Sequence, residues 1–307
     1  LDLLRRVSFD LTGLPPTPDA IQAFAKDTSP EALARVVDNL LASDRFGEYW
    51  GRHWLDVARY GESSGKDVNL PYPFAWRYRD WVIDAVNRDL PYDEFVRQQI
   101  AGDLLPYKDA IDQSKKIVAT GFLAIGTKSH NERNPRQFAL EGADEQIDTV
   151  TRAVMASSVA CARCHDHKFD PFHMTDYYAL AGIFRSTKTY YGTWIDSENN
   201  NGGELIRLPD LPGQLIPNKP VPAAKVTELK AQVAKLNQEE KDQDAMLKEA
   251  HAEKRDLSGE GFKLLQNAIR ILWTRGGIEG QLMTVDDTGR ALPLCMGVME
   301  AKKIGGT

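Results

Sequence analysis

The chain has 307 residues, 42% of them hydrophobic and 27% charged, with a net charge of −6. That is ordinary for a soluble globular protein, is long enough for one large domain or two small ones, and argues against nucleic acid as the main partner. No apolar run approaches the ~20 residues needed to span a bilayer.

From the start, Leu3–Leu11 is apolar-rich and is broken by Thr12-Gly13-Leu14-Pro15-Pro16-Thr17-Pro18. Helical patterning resumes near Asp19 and again over Pro30–Leu41, where Ser29 and Pro30 suit an N-cap and a first helical position. Further helices are expected over Phe46–Tyr60, Trp76–Arg88, Tyr92–Leu105 and Ile117–Gly126, with a loop at 61–73. A long helix with one apolar face is expected over Gln137–Val159, and it delivers the chain to Cys161. A short helix over Asp176–Phe184 completes a mainly α stretch. The segment Thr187–Pro222 reads as turns and extended loop, with five prolines and Asn199-Asn200-Asn201-Gly202-Gly203. Lys225–Leu257 is charged and helix-forming. Its seam of Val226, Leu229, Val233 and Leu236 is interrupted at Glu240 and Gln243, which predicts a helical hairpin arm rather than a sustained coiled coil. Short β-like runs follow at Gln281–Val285 and Leu292–Val298.

The fold class is therefore mainly α: an irregular multi-helix domain with long Pro/Gly/Asn loops, a protruding helical arm and short β elements near the C-terminus. The expected divisions are a helical domain over 1–190, an irregular loop region over 191–222, the arm over 223–275, and the start of a following domain over 276–307. The chain opens on Leu1-Asp2-Leu3-Leu4 without an initiator Met and is read as part of a longer protein, so a missing leader carries no information on localisation.

Three cysteines are too few for a disulfide framework. Two of them form Cys161-Ala162-Arg163-Cys164-His165, the C-x-x-C-H pattern of covalent haem c attachment. Two intervening residues set both sulfurs at the spacing of the porphyrin vinyl groups, and the adjacent imidazole falls beneath the iron. Cys161 and Cys164 are the candidate thioether links and His165 the candidate iron ligand. Zinc held by Cys161, Cys164 and two of His165, His167 and His173 is the alternative cofactor, and a C-x-x-C disulfide or redox pair a third possibility. His167 is too near His165 to reach the opposite haem face and is read as a polar neighbour of a propionate or carboxylate. The sixth ligand stays open among His53, Met155, His130, His173, Met174 and solvent.

Two polar clusters stand out. Arg52, His53, Asp56, Arg59, Tyr60 and Glu62 crowd one helix and its exit; His53 is a candidate metal ligand, and Arg59 suits a propionate because guanidinium binds carboxylates bidentately. Glu141, Asp144, Glu145, Asp148 and Arg152 lie on the helix entering the motif and read as a solvated face. No Gly-rich phosphate loop, G-x-S-x-G or metalloprotease helix is present.

Several blocks agree in order with one family. They are Leu3-Leu4-Arg5-Arg6-Val7-Ser8-Phe9-Asp10-Leu11-Thr12-Gly13-Leu14-Pro15-Pro16, His53-Trp54-Leu55-Asp56-Val57-Ala58-Arg59-Tyr60, Asp89-Leu90-Pro91-Tyr92-Asp93, Ala101-Gly102-Asp103-Leu104-Leu105-Pro106, and Cys161 through Pro171 followed by Asp176-Tyr177-Tyr178-Ala179-Leu180. Over about residues 1–190 the chain resembles the planctomycete-type cytochrome c-like domain of large secreted multidomain proteins. The resemblance implies export to the periplasm or cell surface and a multidomain parent. Because His53 lies in one of the matching motifs, the resemblance ranks it first among the sixth-ligand candidates. Phe172-His173-Met174 departs from the small apolar and polar residues expected there.

The leading expectation is a haem c electron-transfer domain whose partner is a redox protein or an adjacent domain of the same parent. The alternative is a hydrolase or carbohydrate-processing accessory domain, or a surface interaction module, in which the motif is a structural zinc or disulfide site.

Overall fold

Helix α1 (Asp2–Thr12) closes on Gly13, whose φ of 67° lets its N–H return to the Phe9 carbonyl. The ring of Tyr49 lies 2.5 Å from where a Cβ would stand, so both the backbone angle and the packing require glycine there. This computed structural model describes residues 1–66, 69–132, 134–193, 203–255 and 259–300.

Helix α2 (Pro18–Lys26) starts on a Thr17 hydroxyl cap with proline at its first position. Helix α3 (Ala32–Leu41) begins two residues later than Pro30 suggests. Ser29 does not cap it: its N–H and hydroxyl both donate to Asp27 Oδ1, while Arg35 pairs with Asp27 Oδ2. Helix α4 (Asp44–Val57) is capped by Ser43 and packs along α5 (Ala75–Asn87). Gly47 permits the approach, since the Asn87 side chain fills its Cβ position and accepts its N–H at 2.7 Å.

The core forms where α4 and α5 meet α6 (Tyr92–Ala101), α7 (Ala110–Ala119) and α8 (Gly121–Ala124). Helix α6 stops at Ala101 rather than Leu105, and a Cβ on Gly102 would collide with the Lys116 carbonyl of α7. The apolar run 117–126 is two elements rather than one helix. Thr120 breaks it: its hydroxyl donates to the Ile117 carbonyl and accepts the N–H of Val298. At the centre the buried Gln99 accepts from Trp54 Nε1 and the Tyr78 hydroxyl, and its amide donates to the Phe95 carbonyl. Aromatic rings of Trp54, Tyr78, Trp81, Phe95 and Phe122 surround it.

Helix α9 (Pro135–Met155) has an Asn134 cap and ends on Ala156 in the left-handed region, four residues short of the expected end. Helix α10 (Met174–Arg185) lies against it. Strand β1 (Thr187–Tyr190) follows, then β2 (Ile206–Arg207), the hairpin of α11 (Ala223–Ala252) and α12 (Gly261–Leu282), and strands β3 (Leu294–Cys295) and β4 (Gly297–Glu300). Helix α11 runs straight through Glu240 and Gln243. Glu240 pairs with the buried Arg275 of α12, and the Gln243 side chain bonds Asn267 and the Leu264 carbonyl. The polar residues that interrupt the apolar seam are thus the inter-helix contacts. The expected strand start at Gln281–Leu282 is the end of α12, which also contains the 275/276 division.

β4 pairs antiparallel with β1, Thr187 opposite Glu300 and Tyr190 opposite Gly297, and β3 pairs with β2. Leu294, Cys295, Met296 and Val298 are buried in the same core as α5–α8. The protein is mainly α. Among the described residues no helix is long and apolar enough to cross a membrane.

Candidate functional site

The segment from α9 to α10 is built on a 3-10 turn, Val159–Arg163. Such a turn has three residues per revolution, so residues three apart share a face. Val159 and Ala162 face inward, 1% and 0% exposed. Cys161 and Cys164 therefore share an outer face, and both are exposed free thiols.

His165 follows on the exposed side. Its Nδ1 lies 2.8 Å from the carbonyl oxygen of Asp166. A carbonyl can only accept, so Nδ1 carries a proton, and in the neutral ring Nε2 is the nitrogen with the lone pair. His167 is set differently. Its Nδ1 accepts the backbone N–H of Asp170 at 2.8 Å and of Phe169 at 3.3 Å, and Nε2 faces the Ser158 hydroxyl at 3.2 Å. Its ring is a buried pin between the two ends of the loop. His173 caps the approach to α10 through its backbone, and its ring lies 3.2 Å from Asp166. Asp166 also accepts the Met174 N–H, and that hydrogen bond, then the one from His173, holds its carboxyl below the usual range.

Two helices clamp the loop. Asp144 of α9 accepts the Tyr177 hydroxyl of α10 at 2.6 Å and pairs with Arg163 at 3.3 Å, while the Tyr178 hydroxyl donates to the Arg163 carbonyl. Burial, then the Asp144 partner, raises the Tyr177 pKa and keeps its hydroxyl protonated. Met155, Phe169, Met174 and Tyr178, which flank the loop or bond to it, leave their apolar bulk exposed, Phe169 at 84%.

The other predicted residues sit elsewhere. His53 is exposed on α4, edge-on to the Tyr49 ring and tilted against Trp50 of the same helix. The contacts that position it come from α4, whereas those that position the loop come from α9 and α10. Its cluster divides three ways: Arg52 pairs with Asp56 on the surface, Tyr60 and Arg79 engage Glu62, and Arg59 turns to α9. His130 is buried between the rings of Phe138 and Tyr191.

The acidic row on α9 is not a solvated face. Each carboxylate meets a partner: Gln137 for Glu141, Arg163 and Tyr177 for Asp144, Arg59 for Glu145, and Arg152 with Arg59 for Asp148. Neighbouring elements cover this side of the helix, which an isolated charge pattern does not reveal. Sequence reasoning also missed Lys128. Its ammonium is buried over the rings of Tyr72 and Tyr191 and donates to the Ala124 carbonyl at 2.7 Å. Burial pushes it down to about 8, and burial pushes Glu145 up. The only sequence signal for this pair is Gly126, whose φ of 116° and lack of a Cβ make room for the Glu145 carboxyl.

Among the described residues no group of three or more His, Cys, Asp or Glu side chains gathers as a metal site would require. A haem c site asks less of the protein, one imidazole and two thiols, and the exposed Cys161, Cys164 and His165 fit it.

The family model for PSCyt2, a protein of unknown function (DUF1549), matches residues 1–189. The chain belongs to the PSCyt2 family. The PSCyt2 match ends within β1 and so includes the whole thiol-bearing loop and both helices that clamp it. No curated protein and no solved structure matches the chain.

Proposed function

We propose that Cys161–His165 is a haem c attachment site and that the chain is an electron-transfer domain of a larger exported protein. The observation that carries the reading is the shared outer face of Cys161 and Cys164 next to a His165 ring whose Nε2 keeps its lone pair. Each thiol adds across one vinyl group, forming an S–C bond while its proton goes to the other vinyl carbon. Bound there, haem supplies a one-electron iron couple.

The chain's own residues have distinct parts in this reading. His165 Nε2 would hold the iron, and the Asp166 carbonyl, which accepts from Nδ1–H, would orient the ring and raise its basicity. Asp144, Arg163 and Tyr177 hold the loop between α9 and α10. The apolar side chains of Met155, Phe169, Met174 and Tyr178 are the surface a porphyrin would cover. The partner is a redox protein or an adjacent domain of the parent, met in the periplasm or at the cell surface, where thioether attachment takes place.

Expression with a cytochrome c maturation system tests the proposal. The expected product is red, has a Soret band and carries haem mass on the peptide containing Cys161–His165. A folded, colourless, unmodified product overturns it.

A further inference from the structure

A cavity of about 570 Å³ runs along α9, between the chain after α4 and α8 on one side and α10 with β1 on the other. That volume lies in the range of small-molecule pockets. Nine charged side chains line it, and three of them are matched by partners outside the cavity. Asp144 is balanced from outside by Arg163, Asp148 by Arg152, and Lys188 by Glu204. The charged lining groups left over are Arg59, Lys66, Lys128 and Arg185 against Glu141 and Glu145, four cations to two carboxylates. The surplus favours an anion.

The two carboxylates add a second requirement. Among the described residues, Glu141 Oε2 and Glu145 Oε1 are buried and accept no hydrogen bond. Glu145 Oε1 has the Arg59 guanidinium 3.1 Å away, but that Nη2 donates to the Glu145 backbone carbonyl at 2.7 Å instead. Buried acceptors without a donor are costly, and a ligand hydroxyl relieves that cost.

We propose that this cavity binds a small hydroxylated organic acid, its carboxylate held by the Arg59, Lys66, Lys128 and Arg185 charges and its hydroxyls donating to Glu141 and Glu145. The cavity touches the 3-10 turn at Ala160 and shares Asp144 with the loop, but neither thiol lines it, so the binding proposed does not depend on haem.

Calorimetric titration of the full chain with gluconate, glucose and propionate tests the idea. Gluconate combines a carboxylate with hydroxyls, glucose has only hydroxyls, and propionate only the charge. Gluconate is expected to bind at least tenfold more tightly than either. Lys66→Met and Arg185→Met, both at exposed positions, should each weaken gluconate at least threefold, while Lys225→Met on α11 leaves it unchanged. Glu141→Leu should weaken gluconate and spare propionate. Equal affinity for all three probes, no binding of gluconate, or gluconate binding indifferent to Lys66 and Arg185 overturns the proposal.

Discussion

The ring of His165 points Nδ1 at the carbonyl oxygen of Asp166, 2.8 Å away, and that contact leaves Nε2 as the nitrogen not engaged by the carbonyl. If His165 is the axial donor, His165→Ala in the matured protein should keep its covalent haem, because the thiols remain. Its Soret and visible bands should shift, and imidazole added to the buffer should restore them. A variant with the parent's spectrum would rule His165 out.

Asp144 joins α9, the loop and α10. Asp144→Ala removes the partner of the Tyr177 hydroxyl and of Arg163. The Arg163 pair is partly exposed and contributes little, so most of an expected loss of about 1–2 kcal/mol comes from the tyrosine bond. Urea unfolding measures it. Tyr177→Phe should cost about 1 kcal/mol, and both variants should show faster amide exchange across 157–173.

Gln99 organises the aromatic core through one carbonyl oxygen that accepts from both Trp54 and Tyr78. Gln99→Leu keeps the volume and strands those donors, so an unfolding loss of about 2 kcal/mol is expected. A neutral result would mean that the Trp54–Tyr78 hydrogen bond alone satisfies the cluster.

Cys295 is fully buried, and that burial pushes its thiol up to about 12 from an ordinary 9.0. The native state therefore keeps its proton where the unfolded chain loses it. Stability from this group is intact below pH 9 and falls as pH rises above it. Between pH 8 and 10 the parent should lose about 1.4 kcal/mol relative to Cys295→Ala. In the same haem-free protein, maleimide should label Cys161 and Cys164 in the native state and Cys295 only after unfolding.

The sequence by itself determined the local features. Caps such as Thr17, Ser43 and Asn134, the helix periodicity, and the mainly α class follow from interactions between near neighbours, and these are written within a few residues of each other. The C-x-x-C-H spacing is local in the same way, and the fold leaves both thiols exposed at the 3-10 turn and its C-cap. Tertiary structure decided which charges meet. Arg59 leaves its own helix's cluster for Glu145, 86 residues away, and Thr120 is fixed by Val298, 178 residues away. It also turned the acidic row of α9 from a wetted face into a half-buried, paired one, and it buried Lys128 over two tyrosine rings. Such outcomes depend on which elements cover one another, and a charge pattern looks the same whether its helix faces water or a neighbour.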